Sequence, residues 1–372
     1  MKKNYYIFHA GRLKRLENSL QFVKTKPINE LKSDDLPQDG PLPGDTPPPD
    51  DAAEADESPR TFRPPTNEAE RIYLPIEDID SIFAFGELDF NTRVMNFLSQ
   101  KGVVVHFFNY YGFYTGSFYP KESLVSGMLL VEQVRHYISR NRRFIIALRI
   151  IQAAVQNILH NLKYYDARGK DLKAAIEKVE EYYEQLPNQK SIAGIMGLEG
   201  NVREVYYRAF NTIIDQDIQF EKRVKHPPDN MINSMISFAN SLVYTTVLSE
   251  IYKTQLNPLI SFLHEPGERR FSLSLDVAEV FKPMLADRMI FSLLNKNQID
   301  EKSFEKGLNY LYLKDDARKT IVKEFDDRLK TTVRHKTLNR NVSYRQLIRL
   351  ELYKLIKHLI GDKEYEGFKI WW

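Results

Sequence analysis

The amino-acid sequence predicts an α+β multidomain chain: a small, mostly β domain over residues 1–120 and a larger all-α domain over 121–372. Three observations carry this reading. Residues 4–120 hold short runs that alternate polar with apolar, β-branched or aromatic side chains. From about residue 122 to 360 apolar residues recur three and four apart, the spacing of a buried helix face. Between the first strand patterns and the rest lies a Pro-rich, acidic stretch with almost no large apolar residues, about 31–68. Such a stretch cannot bury enough surface to offset its ordering entropy, and it reads as a disordered insert.

The elements follow in order. "KNYYIFHAGRLKRLENSLQFV" reads as a β-hairpin about its Gly-Arg pair. Strand patterns resume in "RIYLPIEDIDSIFAFG". "DFNTRVMNFLSQKG" has an Asn-Thr start and a Gly stop around helical spacing, hence a short helix. "VVVHFFN" is a β-branched and aromatic strand, and "YYGFYTGSFYP" closes the domain. Beyond it, "SLVSGMLLVEQVRHYI", "RRFIIALRIIQAAVQNILHNLKYY" and "DLKAAIEKVEEYYEQL" are amphipathic helices. Pro227 and Pro228 stop a helix, and Asp229 or Asn230 caps the next, whose apolar face carries Met231, Met235, Phe238 and Leu242. Asn233, Ser237, Asn240 and Ser241 read as helix-packing contacts. No repeat of twenty to fifty residues is visible.

Composition narrows the function classes. The chain has no cysteine, which excludes disulfides, thiolate chemistry and Cys-ligated zinc and fits a cytoplasmic location. No apolar run reaches the length needed to span a bilayer, and no apolar region follows the basic start, so neither a membrane nor a signal peptide is expected. The net charge of +3 conceals an asymmetry: residues 33–60 hold nine acids and one base, a net of −8, so the remainder carries +11. A basic body points to a polyanionic partner, whereas an ordinary lysine-rich surface is the plainer account. "RNRR" at 140–143 and "RHKTLNR" at 334–340 are basic clusters consistent with DNA.

Three segments of the helical part set charge among apolar residues. In "GIMGLEGNVREVYYRAF", Glu199 stands four residues before Arg203, on one helix face, as a surface ion pair would. "KHPPDNMINSMISFANSLVYTTVLSEI" resembles no catalytic motif by itself. In "FLHEPGERRFSLSLDVAEVFKP", Ser272 or Ser274 starts a helix on which Asp276 and Glu279 share a face, while His264 lies in a loop that must fold back toward them. Imidazole with carboxylates is a donor set for Mg²⁺ or Mn²⁺, although a lone His in an apolar loop is more often a satisfied core residue. HExxH, GxxxxGK[ST], GxGxxG and GxSxG are all absent, which leaves zincin, P-loop, Rossmann and serine-hydrolase chemistry without support.

Taken together, "LPIEDIDSIFAFG", "GVVVHFFNYYGFYTG", "GLEGNVREVYYRAF", "PPDNMINSMISFANSL" and "FLHEPGERRFSLSLDVAEVFKP", in this order, resemble the CRISPR-associated spacer-acquisition integrases, the Cas-one family. The C-terminal "VSYRQLIRLELYKLIKHLIGDKEYEGFKIWW" resembles the branch associated with type I-B systems. The resemblance covers nearly the whole chain outside the acidic insert. It implies a β-sandwich-like N-terminal domain and a helical catalytic domain with one Mg²⁺ or Mn²⁺ site. It assigns Glu199, His264 and Glu279 as metal ligands and catalytic residues, with Asp276 lining the same site from a second shell or as an alternative ligand. Family members carry Asp or Glu where Glu279 stands. It implies a metal-dependent DNA integrase and endonuclease: a prespacer 3′-hydroxyl attacks a phosphodiester at the edge of the CRISPR repeat by transesterification, and water in its place gives hydrolysis. Arg203, Arg269 and Arg270 become candidate phosphate contacts, and Arg269 and Arg270 are read equally well as ordinary surface residues. The implied partners are prespacer and repeat or leader DNA, a second copy of the chain and a small Cas-two subunit. A catalytically inactive helical DNA-binding or scaffold protein of the same fold is the alternative. The presence of Glu199, His264 and Glu279 together favours the enzyme, since burying that set without an ion would be costly.

Overall fold

The computed structural model describes residues 2–24, 70–109, 111–120, 124–218, 220, 222–224, 228, 230–268, 270–306 and 311–372. The acidic insert, Pro227, Asp229 and Arg269 lie outside these residues. The chain divides into two compact units, 1–110 with 114–121 and 111–113 with 122–372.

Among the described residues, the first unit is two four-stranded sheets. One has β1 (Lys3–Ile7), β5 (Ile79–Ala84), β7 (Val104–Phe108) and β8 (Tyr114–Phe118) side by side. Its first three strands are parallel and β8 runs against β7. The other is ordered β4 (Arg71–Pro75), β3 (Ser19–Lys24), β2 (Gly11–Leu16) and β6 (Leu88–Asp89). Leu13, Leu20, Phe22 and Leu74 from one sheet share a core with Ile7, Ile79, Ile82 and Val105 from the other. Such sharing of a single core by two sheets is the sandwich principle. The helix α1 (Thr92–Lys101) adds Val94, Phe97 and Leu98 to that core. It forms as the sequence predicts: Asn91 accepts from the Val94 amide, and Gly102 closes the helix in the left-handed region at φ 67°.

The expected hairpin is corrected. The Gly11–Arg12 pair opens β2, and β1 belongs to the other sheet. The hairpin is β2–β3, turning at Glu17 and Asn18 with Glu17 at φ 51°. Gly11 serves close approach instead: a Cβ there would stand 2.4 Å from the Phe22 ring and 2.6 Å from the Val23 carbonyl.

The second unit is mostly helical. Its helices are α2 (Gly127–Ile138), α3 (Arg140–Asp166), α4 (Lys173–Gln185), α5 (Ile192–Ile213), α6 (Met231–Ile251), α7 (Ser272–Lys282), α8 (Arg288–Asn295), α9 (Asp315–Lys330) and α10 (Tyr344–Leu359). Ser126, Ser191, Asn230 and Ser343 cap α2, α5, α6 and α10 through their side chains. The all-α expectation is amended by two small ribbons, β9 (Phe304–Lys306) with β10 (Leu311–Leu313) and β11 (Thr332–Arg334) with β12 (Asn341–Ser343). These strands have three residues each, too short for a periodic pattern to show. α3 is long and apolar enough to cross a membrane, but 67% of that window is buried, as befits the central helix of a bundle.

Two features of this unit position the site. α7 runs into α8 through a π-turn, Pro283–Asp287. Proline lacks the N–H that would bond back to the Glu279 carbonyl, so the α register breaks there and the helix widens. Asn161 of α3 secures the break by donating to the Pro283 carbonyl at 2.8 Å. One turn earlier on α3, the buried Asn157 donates to the carbonyls of Val280 and Phe368 at 2.9 and 3.0 Å and accepts from the Ile370 amide at 2.8 Å. A single side chain thus ties the C-terminal tail to α7.

Candidate active site

α5 presents Glu199 and Arg203 one helical turn apart. The pair is not the surface contact that their spacing suggests. The Arg203 guanidinium is 11% exposed, and it donates to Glu199 at 2.8 Å and to Glu279 of α7 at 2.5 Å. Lys282, one turn beyond Glu279, pairs with the other oxygen of that carboxylate. Burial alone would push the Glu279 carboxyl up, but Lys282 and Arg203, with His264 nearby, hold it down at about 2. Burial also disfavours the charge on Arg203, yet Glu279, Tyr207, Glu199 and Asp287 around it leave its pKa well above the ordinary value.

Asp276 has a different task. Its side chain is wholly buried, and it accepts from the amides of Phe262 and Leu263 at 2.6 and 2.9 Å and of His264 at 2.9 Å. The same carboxylate meets His264 Nδ1 at 2.8 Å. An oxygen already receiving a backbone N–H accepts rather than donates, so the network assigns the imidazole proton to Nδ1 and leaves the lone pair on Nε2. One acid therefore folds the 262–264 loop back, as the sequence required, and fixes the ring and its tautomer. Arg143 braces the loop from outside: it stacks 4.6 Å over Tyr137, donates to the Phe262 carbonyl at 2.8 Å and pairs with Glu265 at 2.8 Å.

Arg143 is thus a structural member of the "RNRR" cluster. Arg270 donates to the Glu265 carbonyl at 2.9 Å, and so it too is engaged with its own loop. Arg203, offered by the sequence as a phosphate contact, faces two acids in the interior. Sequence reasoning missed Lys282, Arg143 and Asp287. The spacing of Lys282 from Glu279 was a signal for the first; the other two depend on long-range packing and had none.

The structure brings Glu199 and Glu279 onto one guanidinium and His264 within electrostatic reach of Glu279. Among the described residues, no three His, Asp or Glu side chains are gathered closely enough to hold a cation as they stand. The donor chemistry nevertheless fits a hard or borderline divalent ion: two carboxylates, Glu279 kept ionised, and an imidazole with a free Nε2. Around Glu199 the surface is low. A Cβ at Gly197 or Gly200 would meet no atom of the described residues within 4 Å, so their packing does not demand glycine at either position.

Residues 58–327 match the family described as CRISPR associated protein Cas1. The chain belongs to the Cas1 family. It is 49% identical over 372 residues to the CRISPR-associated endonuclease Cas1 of Fusobacterium nucleatum subsp. nucleatum, covering 100% of this chain and 98% of that one. Among solved structures, a Cas1 protein from Thermotoga maritima superposes with a TM-score of 0.76 at 36% identity, covering 99% and 100% of the two chains. The fold is shared more widely. A casposase bound to integration product has a TM-score of 0.78 at 20% identity, covering 98% of this chain and 92% of that one. A Cas6-RT-Cas1–Cas2 complex gives 0.75 at 14% identity, with all of this Cas1 chain covering 36% of that one.

Proposed function

We propose that this Cas1-family chain is a metal-dependent DNA integrase and endonuclease that inserts spacers into a CRISPR array by transesterification. The observation that carries the reading is the convergence of Glu199 and Glu279, from two helices, on one buried cation, beside an imidazole whose tautomer Asp276 dictates. A buried and a half-buried carboxylate already drawn together on one cation offer a divalent ion its oxygen ligands. Glu199, Glu279 and His264 Nε2 would hold Mg²⁺ or Mn²⁺. When bound, such an ion polarises a phosphoryl oxygen and lowers the pKa of an attacking hydroxyl.

The chain's own residues do the rest. Asp276 holds the His264 ring by its Nδ1 and keeps it aimed. The bare surface at Gly197 and Gly200 lets a DNA backbone approach Glu199 closely. One phosphodiester is exchanged for another, with a 3′-hydroxyl as nucleophile, so no external energy source is required; water as nucleophile gives cleavage. The basic body carries DNA, and affinity rests on phosphate contacts spread over its surface. Arg270, with Arg269, is proposed to neutralise phosphate at the site's margin. The working assembly is a dimer of this chain joined by a small Cas2 subunit.

The test is integration of a labelled prespacer into a supercoiled plasmid bearing leader and repeat, with and without Mn²⁺ and with and without the Cas2 subunit. Joined product that requires Mn²⁺ is expected. DNA binding without joining under every condition would leave the scaffold role in its place.

A further inference from the structure

Behind the two acids and Arg203 lies a third carboxylate that the proposed chemistry does not use. Asp287 ends the π-turn and is 2% exposed. Tyr206, fully buried, accepts from Asn161 at 2.9 Å and hydrogen-bonds to Asp287. Asp287 Oδ2 is buried and takes no hydrogen bond among the described residues. Native proteins rarely leave a carboxylate oxygen in that state, since an unmade hydrogen bond in the interior costs a large part of the group's hydration. The nearby charges acting on Asp287 are Arg203, Lys282 and Glu279.

The arrangement around Glu279 explains what the free oxygen is for. An ion held by Glu199 and Glu279 needs the oxygens that now receive Arg203 and Lys282. Lys282 lies on the last turn of α7 with 17% of its side chain exposed, so its ammonium can turn to water. Arg203 is 11% exposed and sits mid-helix in α5, so a guanidinium released there needs a buried anion. We propose that Asp287 is the positioning residue that receives Arg203 when a divalent cation takes its place between Glu199 and Glu279. Arg203 then acts as an internal stand-in that keeps the two acids paired, and Asp287 Oδ2 is its second station. This rests on the assignment of Glu199 and Glu279 as ligands.

The experiment is Mn²⁺ titration of the full-length protein, without DNA, by calorimetry and by the electron paramagnetic resonance of free Mn²⁺. Asp287→Asn should weaken Mn²⁺ binding about 10-fold or more, the range typical of a partner that orients ligands from behind. In an Arg203→Gln background the same substitution should change nothing, because no guanidinium needs to be received. Equal weakening in both backgrounds, or none in either, would overturn the role of Asp287. Wild-type Mn²⁺ affinity in Glu279→Gln would overturn the ligand assignment itself and the inference with it. A structure of the unmodified protein with Mn²⁺ bound gives an answer independent of variants. Arg203 within hydrogen-bond distance of Asp287 Oδ2 is expected, and Arg203 remaining on Glu199 or Glu279 would refute the proposal.

Discussion

Asp276 and Glu279 sit three residues apart on one helix and are both carboxylates, yet the interior gives them opposite work. Asp276 spends its oxygens on three amides and one imidazole, whereas both oxygens of Glu279 face cations. Glu199→Ala, His264→Ala and Glu279→Ala should each abolish integration while leaving DNA binding near wild type, read by joined product and by a gel-shift titration. Asp276→Asn should keep weak activity that rising Mn²⁺ partly restores, while Glu279→Gln stays inactive at any Mn²⁺ concentration. Asp276→Asn should also lower stability by about 3 kcal/mol, since an amide cannot accept from all the donors now facing it. The two buried acids set opposite pH trends. Glu279, held at about 2, lends stability that is present above the ordinary carboxylate range and lost as pH falls toward 2. Burial raises Asp287 from 3.8 to about 6 despite Arg203 and Tyr206, so its proton favours the folded state. Its contribution is full below pH 3.8 and is lost between there and about 6, by up to about 3 kcal/mol. Thermal melts from pH 4 to 7 should show that slope in the wild type and lack it in Asp287→Asn.

At the scale of elements, α7 is held from both sides. Asp276 in its second turn receives the 262–264 loop, its carbonyl at Val280 is bound by Asn157, and Phe281 stacks on Phe368 of the tail at 5.3 Å. The helix that carries Glu279 is therefore braced by the last residues of the chain. Asn157→Ala should cost about 2–4 kcal/mol by orphaning one buried amide and two carbonyls, and the melting temperature measures it. A second clamp joins α6 to α10: the buried Glu250 pairs with Arg345 at 2.8 Å and Arg349 at 2.6 Å. Gly200 of α5 gives the converse test. Alanine there meets open space and should stabilise the helix by about 1 kcal/mol. If DNA approaches Glu199 across this surface, Gly200→Ala melts higher and integrates less; unchanged integration would remove the glycine from the DNA path.

For the whole molecule, the acidic segment is the main departure from an even charge. β3 and β4, which flank it, are paired antiparallel, with Val23 opposite Arg71 and the Lys24 amide bonded to the Glu70 carbonyl at 3.1 Å. The two ends of the segment are thus already neighbours. Deleting residues 33–60 still leaves 25–32 and 61–69 to bridge them, and loop-closure cost changes little with length. The deletion should fold with an unchanged melting temperature. It removes a net −8, so non-specific DNA binding should tighten, most at low salt, in a titration across ionic strength.

Periodicity and capping are local, so the sequence alone determined α2, α3, α4 and α6, the Asn91 and Gly102 limits of α1 and the change from β to α character. The resemblance of its charged motifs named the family and pointed to Glu199, His264 and Glu279. Local spacing misread what long-range contacts decide. A strand's partner depends on the whole core, so β1 left its expected hairpin for another sheet, and Gly11 answers to the Phe22 ring rather than to a turn. Glu199 and Arg203 read as a surface pair because spacing reports a shared helix face and says nothing of what covers it. Only the approach of α7, widened by Pro283 and pinned by Asn157 and Asn161, turned that pair into a buried bridge between two acids. The same approach placed Asp287 behind it with an oxygen unspent.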